Sequence, residues 1–187
     1  NIIVDNNTAS WNAGGVYITG NGDIEIHNFT ISNNAAVNDG GGMLVGSSIL
    51  LSISNTLIVN NTSWAGAGIE CGAASPTLTN VTIANNTAEN SGGGIFSYHA
   101  SNPILINSIV AFNLPEEIVF RWDHDPTAVT ISYSNILGGE EEIVTNNNGT
   151  IYWEEGNINI DPLFCDIENG DFTVRSDSPV LGTGENG

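Results

Sequence analysis

The chain has 187 residues and a mean hydropathy near zero, which suits one folded domain with a core rather than a disordered segment. Two Arg and no Lys stand against 21 Asp and Glu, a formal charge of −19, so phosphate backbones and anionic lipid surfaces are excluded as natural partners. Cations, Ca²⁺ above all, and neutral or Ca²⁺-bridged polysaccharides are the partners such a surface leaves open.

Read from its first residue, the chain repeats. An Asn recurs at Asn1, Asn28, Asn55, Asn80, Asn107 and Asn135, at spacings of 27, 27, 25, 27 and 28. A second Asn follows six residues later in the first five copies, at Asn7, Asn34, Asn61, Asn86 and Asn113. A third column joins a glycine to an apolar residue: Gly15-Val16, Gly42-Met43, Gly68-Ile69 and Gly94-Ile95. Because Asn1 already occupies a repeat position, the chain is expected to be a piece of a longer or processed protein.

Between the markers, apolar and polar residues alternate, the period of a strand with one buried face. Before the marker, Ile24 and Ile26 recur as Leu51 and Ile53, then as Pro76 and Leu78; after it, Phe29 and Ile31 recur as Val81 and Ile83. Behind the glycines, Met43 and Val45 recur as Ile69 and Cys71, then as Ile95 and Ser97. No stretch has the length and period of an amphipathic helix, and no apolar run is long enough to insert in a membrane. The pattern predicts an all-β, three-strand-per-coil β-solenoid of about six coils over residues 1–155. Stacked coils place Asn over Asn, so Asn28, Asn55, Asn80 and Asn107 are expected at a left-handed corner and in a hydrogen-bonded ladder. Such a rod has open ends, and end-to-end self-association follows as an expectation.

The Asn-x-T-I-x-x-Asn and GGG-apolar motifs over residues 1–113 resemble the right-handed parallel β-helix superfamily that includes pectate lyases. They are closer still to the repeats of bacterial surface proteins such as the chlamydial polymorphic outer-membrane proteins. The resemblance implies a right-handed coil, and a ligand cleft on the strand after the glycines. The tail over 156–187, with Asp161 to Phe164, Asn169 to Phe172 and Ser178-Pro179, resembles the closing segment of secreted bacterial β-helix proteins. It is expected to cap the C-terminal end of the rod.

Chemistry is expected on the outward side of the post-glycine strands. Tyr17, Leu44, Glu70 and Phe96 form one file, and aligning IFSYH with VFRWD adds Phe120 to it and turns Arg121 inward. Tyr98, His99, Trp122, Asp123 and His124 follow, and flat rings in a row suit the apolar faces of sugars. With no Lys and two Arg, the base of a lyase is hard to supply, and the sequence elements of polygalacturonases are missing. No cofactor is required by any motif. Asp161, Asp166, Glu168 and Asp171 offer oxygen ligands for Ca²⁺, although a pair of turns explains the same residues. The reading that results is an extracellular or cell-surface module, structural, adhesive or glycan-binding and without catalysis; the alternative is a polysaccharide lyase or glycoside hydrolase of the same superfamily.

Overall fold

The computed structural model describes residues 1–47, 49–122 and 125–185. Asn28, Asn55, Asn80 and Asn107 hold φ between 49° and 58°, the left-handed conformation that Asn tolerates better than other residues with a side chain. The chain bends at each of them without leaving its sheet. Strands Ile49–Val59 and Thr77–Ala84 continue through the bends at Asn55 and Asn80, and the flanking strands join them in a ten-stranded sheet. Its neighbours in adjacent coils are parallel and in register: Leu78 pairs with Ile53 and Leu105, and Ile83 pairs with Ile58 and Val110.

Each coil turns again at a doublet. Asn6, Asn33, Asn60 and Asn85 take φ of 54° to 58°, and Asn7, Asn34, Asn61 and Asn86 follow them. Four short strands come next, Thr8–Ala9, Ala35–Ala36, Thr62–Ala65 and Thr87–Ser91, and form a sheet of their own. Gly40, Gly66 and Gly92, at φ of 62° to 70°, make the third corner. The post-glycine strands Val16–Ile18, Met43–Gly46, Ile69–Gly72, Ile95–Tyr98 and Ile118–Phe120 stack beyond it as a five-stranded parallel sheet. The result is a β-solenoid of about six turns.

The interior is built from files of like residues. Ile53, Leu78, Leu105 and Ile131 line one wall, Ile31, Ile58, Ile83 and Val110 the second, and Met43, Ile69, Ile95 and Ile118 the third, all fully buried. Cys71 sits between Val45 and Ser97, as its column implied. Beside this apolar core runs a polar one. The side-chain amide of Asn7 donates to Asn34 Oδ1 at 2.9 Å, Asn34 to Asn61 at 3.0 Å, Asn61 to Asn86 at 2.9 Å and Asn86 to Asn113 at 2.9 Å. Every Oδ1 also accepts the backbone N–H of the preceding Asn, so the doublet corner leaves its buried amides satisfied.

Three expectations are corrected by these contacts. The continuous ladder is the second Asn column; Asn28, Asn55, Asn80 and Asn107 do line up, but their left-handed corner turns the side chains outward, and Asn80 reaches Asn55 at 3.1 Å. In the sixth coil the corner falls on Tyr133, at φ 49°, and not on Asn135. Ser134 stacks on Ser108, which leaves Asn135 level with Ile109 and bonded to the backbone of Ile160. The tail, too, lies elsewhere than expected. Asn157 completes the last turn by bonding to Ser134 and Ile131, but the rest folds back along the flank of the rod. There Val59, Ala84 and Ala111 leave an apolar strip, and the antiparallel pair Phe164–Asp166 and Asp171–Val174 covers it with Phe164 and Phe172. The tail thereby takes that strip out of water, while Ile151 and Trp153 pack against the core at the last coil.

Candidate functional site

The outward file of the post-glycine sheet is a floor, not an exposed strip. Leu44, Glu70, Phe96 and Val119 are all buried, and in that one file Tyr17 stands out, 63% exposed at the first coil. The cause is the glycine corner. A Cβ placed on Gly66 would lie 2.8 Å from Glu70 Cβ, and one on Gly40 2.7 Å from Leu44 Cβ, so the corner backbone lies directly over the residue four positions later. The segments leading into these corners are thereby folded across the floor.

The fifth post-glycine strand is one residue out of the expected register. Phe96 pairs with Val119 and Ser97 with Phe120, which sends Phe120 into the core and Arg121 outward, level with Tyr98. A slip of one exchanges the faces of a strand. The buried position beneath Ser97 takes the phenyl ring and spares the core an uncompensated guanidinium. Arg121 now lies over the Tyr98 ring, 5.6 Å from its centroid. Asn146 and Asn148 pin the turn by donating to the carbonyls of Phe120, at 2.7 Å, and Arg121, at 2.5 Å.

These displacements build a groove of about 250 Å³. Asp39, Trp64, Asn90 and Ser91 line it from the short-sheet side, Glu70 and Phe96 form its floor, and Arg121, Trp122 and Asn146 close the far side. Trp122 is 75% exposed and Trp64 49% exposed, so two indole rings stand at the rim. A wider, shallower hollow of about 560 Å³ follows the outer Asn corner, lined by Asn and Thr side chains with Phe29 and Leu57, and no Asp, Glu or His side chain lines it.

Glu70 is the chemical centre of the groove. It is 2% exposed, the Tyr98 hydroxyl hydrogen-bonds its carboxyl, and Oε2 is buried without a hydrogen-bond partner among the described residues. Burial, reinforced by the charge of Asp39, raises it to about 8, against smaller pulls downward from Tyr98 and Arg121. Asp39, half-buried, is raised by burial as well, with Arg121 opposing. Tyr98 is held above the ordinary phenol range by burial and by the neighbouring Glu70. Its reach depends on Gly72, its cross-strand partner, because a Cβ there would meet the Tyr98 hydroxyl at 2.5 Å. Gly72→Ala is therefore expected to swing Tyr98 off Glu70, with an altered tyrosine near-UV circular dichroism band and a loss of about 1–2 kcal/mol in urea melts. An unchanged band would show that the ring does not use that path.

Of the residues expected to form a site, Glu70, Phe96 and Trp122 line the groove, and Tyr98 backs it. His99 is exposed at a left-handed corner, its ring edge-on to Tyr98 at 4.7 Å. Asp123 and His124 lie outside the described residues. Asp39, Trp64 and Arg121 were not foreseen as members. In the tail, Asp161, Asp166 and Asp171 each accept hydrogen bonds from their own turns, from Leu163, Asn169 and Thr173. Glu168 belongs to the short helical turn Ile167–Asn169. No group of three or more His, Cys, Asp and Glu is placed to hold a metal ion among the described residues.

Parallel coils stacked in register around an aliphatic core and an Asn ladder, with a cleft on the post-glycine sheet, define a parallel β-solenoid. The family model described as a right handed beta helix region matches residues 1–111, and the chain belongs to that family. No curated protein and no solved structure matches the chain.

Proposed function

We propose that this β-helix is an extracellular or cell-surface glycan-binding module whose ligand, a neutral polysaccharide, lies in the groove above Glu70. The observation that carries the reading is the pairing of two exposed indoles, Trp64 and Trp122, over a floor that holds Glu70, one of whose carboxyl oxygens is buried without a partner among the described residues. Indole faces cover the apolar side of a pyranose, and convergent polar groups fix its hydroxyls. Asp39 and the formal charge of −19 disfavour polyanionic chains. A glycan array with and without Ca²⁺ tests the proposal. Binding to neutral glycans, weakened about tenfold or more by Trp64→Ala or Trp122→Ala, is the expected result. Absence of binding to any neutral glycan would refute it.

One observation favours a second reading, hydrolysis of the bound chain. Asp39 lies close enough to Glu70 for its charge to act on it, so the groove holds an acid that keeps its proton beside a second carboxyl. In that reading Glu70 protonates the leaving glycosidic oxygen as the bond to the anomeric carbon breaks, and Asp39 takes a proton from the attacking water. New reducing ends released from neutral polysaccharides, and abolished in Glu70→Gln, would establish it; a bound glycan recovered intact after prolonged incubation would exclude it.

A further inference from the structure

Glu70 sits where its own file does not call for a carboxyl. Leu44 and Phe96 occupy the equivalent level in the coils before and after, and both fill it with apolar atoms. A carboxyl in such a place costs stability twice, through desolvation and through an oxygen left without a hydrogen bond. Its surroundings add no compensating ion pair at contact distance among the described residues. Asp39 faces it from the preceding coil, Tyr98 and Arg121 from the following ones, and Cys71 adjoins it on its own strand. The Tyr98 hydroxyl engages one carboxyl oxygen, while Oε2 remains buried in the floor of a groove open to a ligand. A group this unfavourable to the fold, placed at the bottom of a cleft, fits a partner that arrives from outside.

We propose that Glu70 stays protonated in the empty groove and that its carboxyl, turning toward an arriving neutral sugar, donates a hydrogen bond to a ring or glycosidic oxygen of that sugar, which makes binding dependent on pH. The inference rests on the groove being the glycan site. A ring or glycosidic oxygen, which has no proton of its own to give, is the acceptor that a carboxylic acid, unlike a carboxylate, can satisfy. Ionising Glu70 would replace that donor with a buried charge beside Asp39, and the ether oxygen of the ligand would then meet only lone pairs. Arg121 favours ionisation but already lies over Tyr98, and burial outweighs it.

The test is calorimetric titration of the whole protein with soluble neutral oligosaccharides, namely fragments of β-glucan, xylan, mannan and galactan, at pH 6, 7.5 and 9. With a midpoint of about 8, about a tenth of the protein carries the proton at pH 9, so wild-type affinity is expected to fall about tenfold from its value at pH 6. In Glu70→Gln the amide donates at every pH. That variant should bind as the wild type does at pH 6 and stay constant through pH 9, while Glu70→Ala binds weakly throughout. Wild-type affinity that is the same at pH 6 and 9, or a Glu70→Gln variant with the wild-type pH dependence, would overturn the proton-donor role and leave the groove reading intact. No binding of any of these sugars at any pH would overturn both.

Discussion

At pH 9, Glu70→Gln is expected to melt well above the wild type, and at pH 5 the two should melt within a few degrees of each other. Glu70 has a folded-state value of about 8 against an ordinary value of 4.5, so between these limits the folded chain binds more protons than the unfolded one. Stability is then complete below the unfolded value and drains away as pH rises through the folded one. Each pH unit in that window is worth about 1.4 kcal/mol, which makes the wild-type loss about 4 kcal/mol by pH 9, or about 10 °C in a chain of this length. Gln removes that loss while keeping the side chain's shape. Glu117, raised to about 7 chiefly by burial, has the same sign, and Asp39 is shifted the same way. The variant therefore keeps a shallower slope of its own. Melting curves of the two proteins across this range decide the matter; parallel slopes would mean that Glu70 ionises as freely as a surface residue.

The second large effect belongs to the Asn ladder. Asn61 Oδ1 accepts from the backbone and side-chain amides of Asn34, and its Nδ2 donates to Ile31 O at 3.0 Å and to Asn86 Oδ1 at 2.9 Å. Asn61→Ala strips partners from the buried Asn34 N–H and Ile31 carbonyl together, and each orphaned buried group costs about 1–3 kcal/mol. A destabilisation of about 4 kcal/mol in urea melts is expected, with transmission to the coils on both sides. Asn55→Ala, on the outer corner, loses one exposed bond and some backbone preference for the left-handed conformation, about 1 kcal/mol. Equal losses at the two positions would contradict the assignment of the ladder to the inner column.

The Asn columns were legible because stacking requires like over like, and a fixed spacing in sequence is the trace such a requirement leaves. The identity of the ladder was not legible in the same way. Both columns have the spacing, and the difference between them lies in a backbone conformation: Asn60 takes the left-handed turn and leaves Asn61 pointing inward. Glu70 could be placed in the outward file by alternation alone, but nothing in the pattern announced its burial, which comes from Gly66 folding over it. Asp39, Trp64 and Arg121 share no column, so no repeat brings them together. Arg121 was misplaced because IFSYH and VFRWD match by residue type one position away from the register that buries Phe120. A signal was available: Ile118 continues the Ile69 and Ile95 column, and alignment on that file gives the observed pairing. The tail's position on the flank was foreshadowed by Val59, Ala84 and Ala111, an outward file too apolar to be left in water.

The pH-dependent stability and the proton-donating role both turn on the protonation of one buried side chain, and carbon-13 NMR of the Glu70 carboxyl reads it directly. Protein labelled at the glutamate δ-carbons, with the resonance assigned by its disappearance in Glu70→Gln, would be titrated without ligand from pH 4 to pH 10. The expected result is a midpoint near 8, so that the carboxyl is predominantly protonated at neutral pH. A midpoint near the ordinary glutamate value of 4.5 would contradict it, and with it the pH-dependent stability and the proton-donating role in the groove.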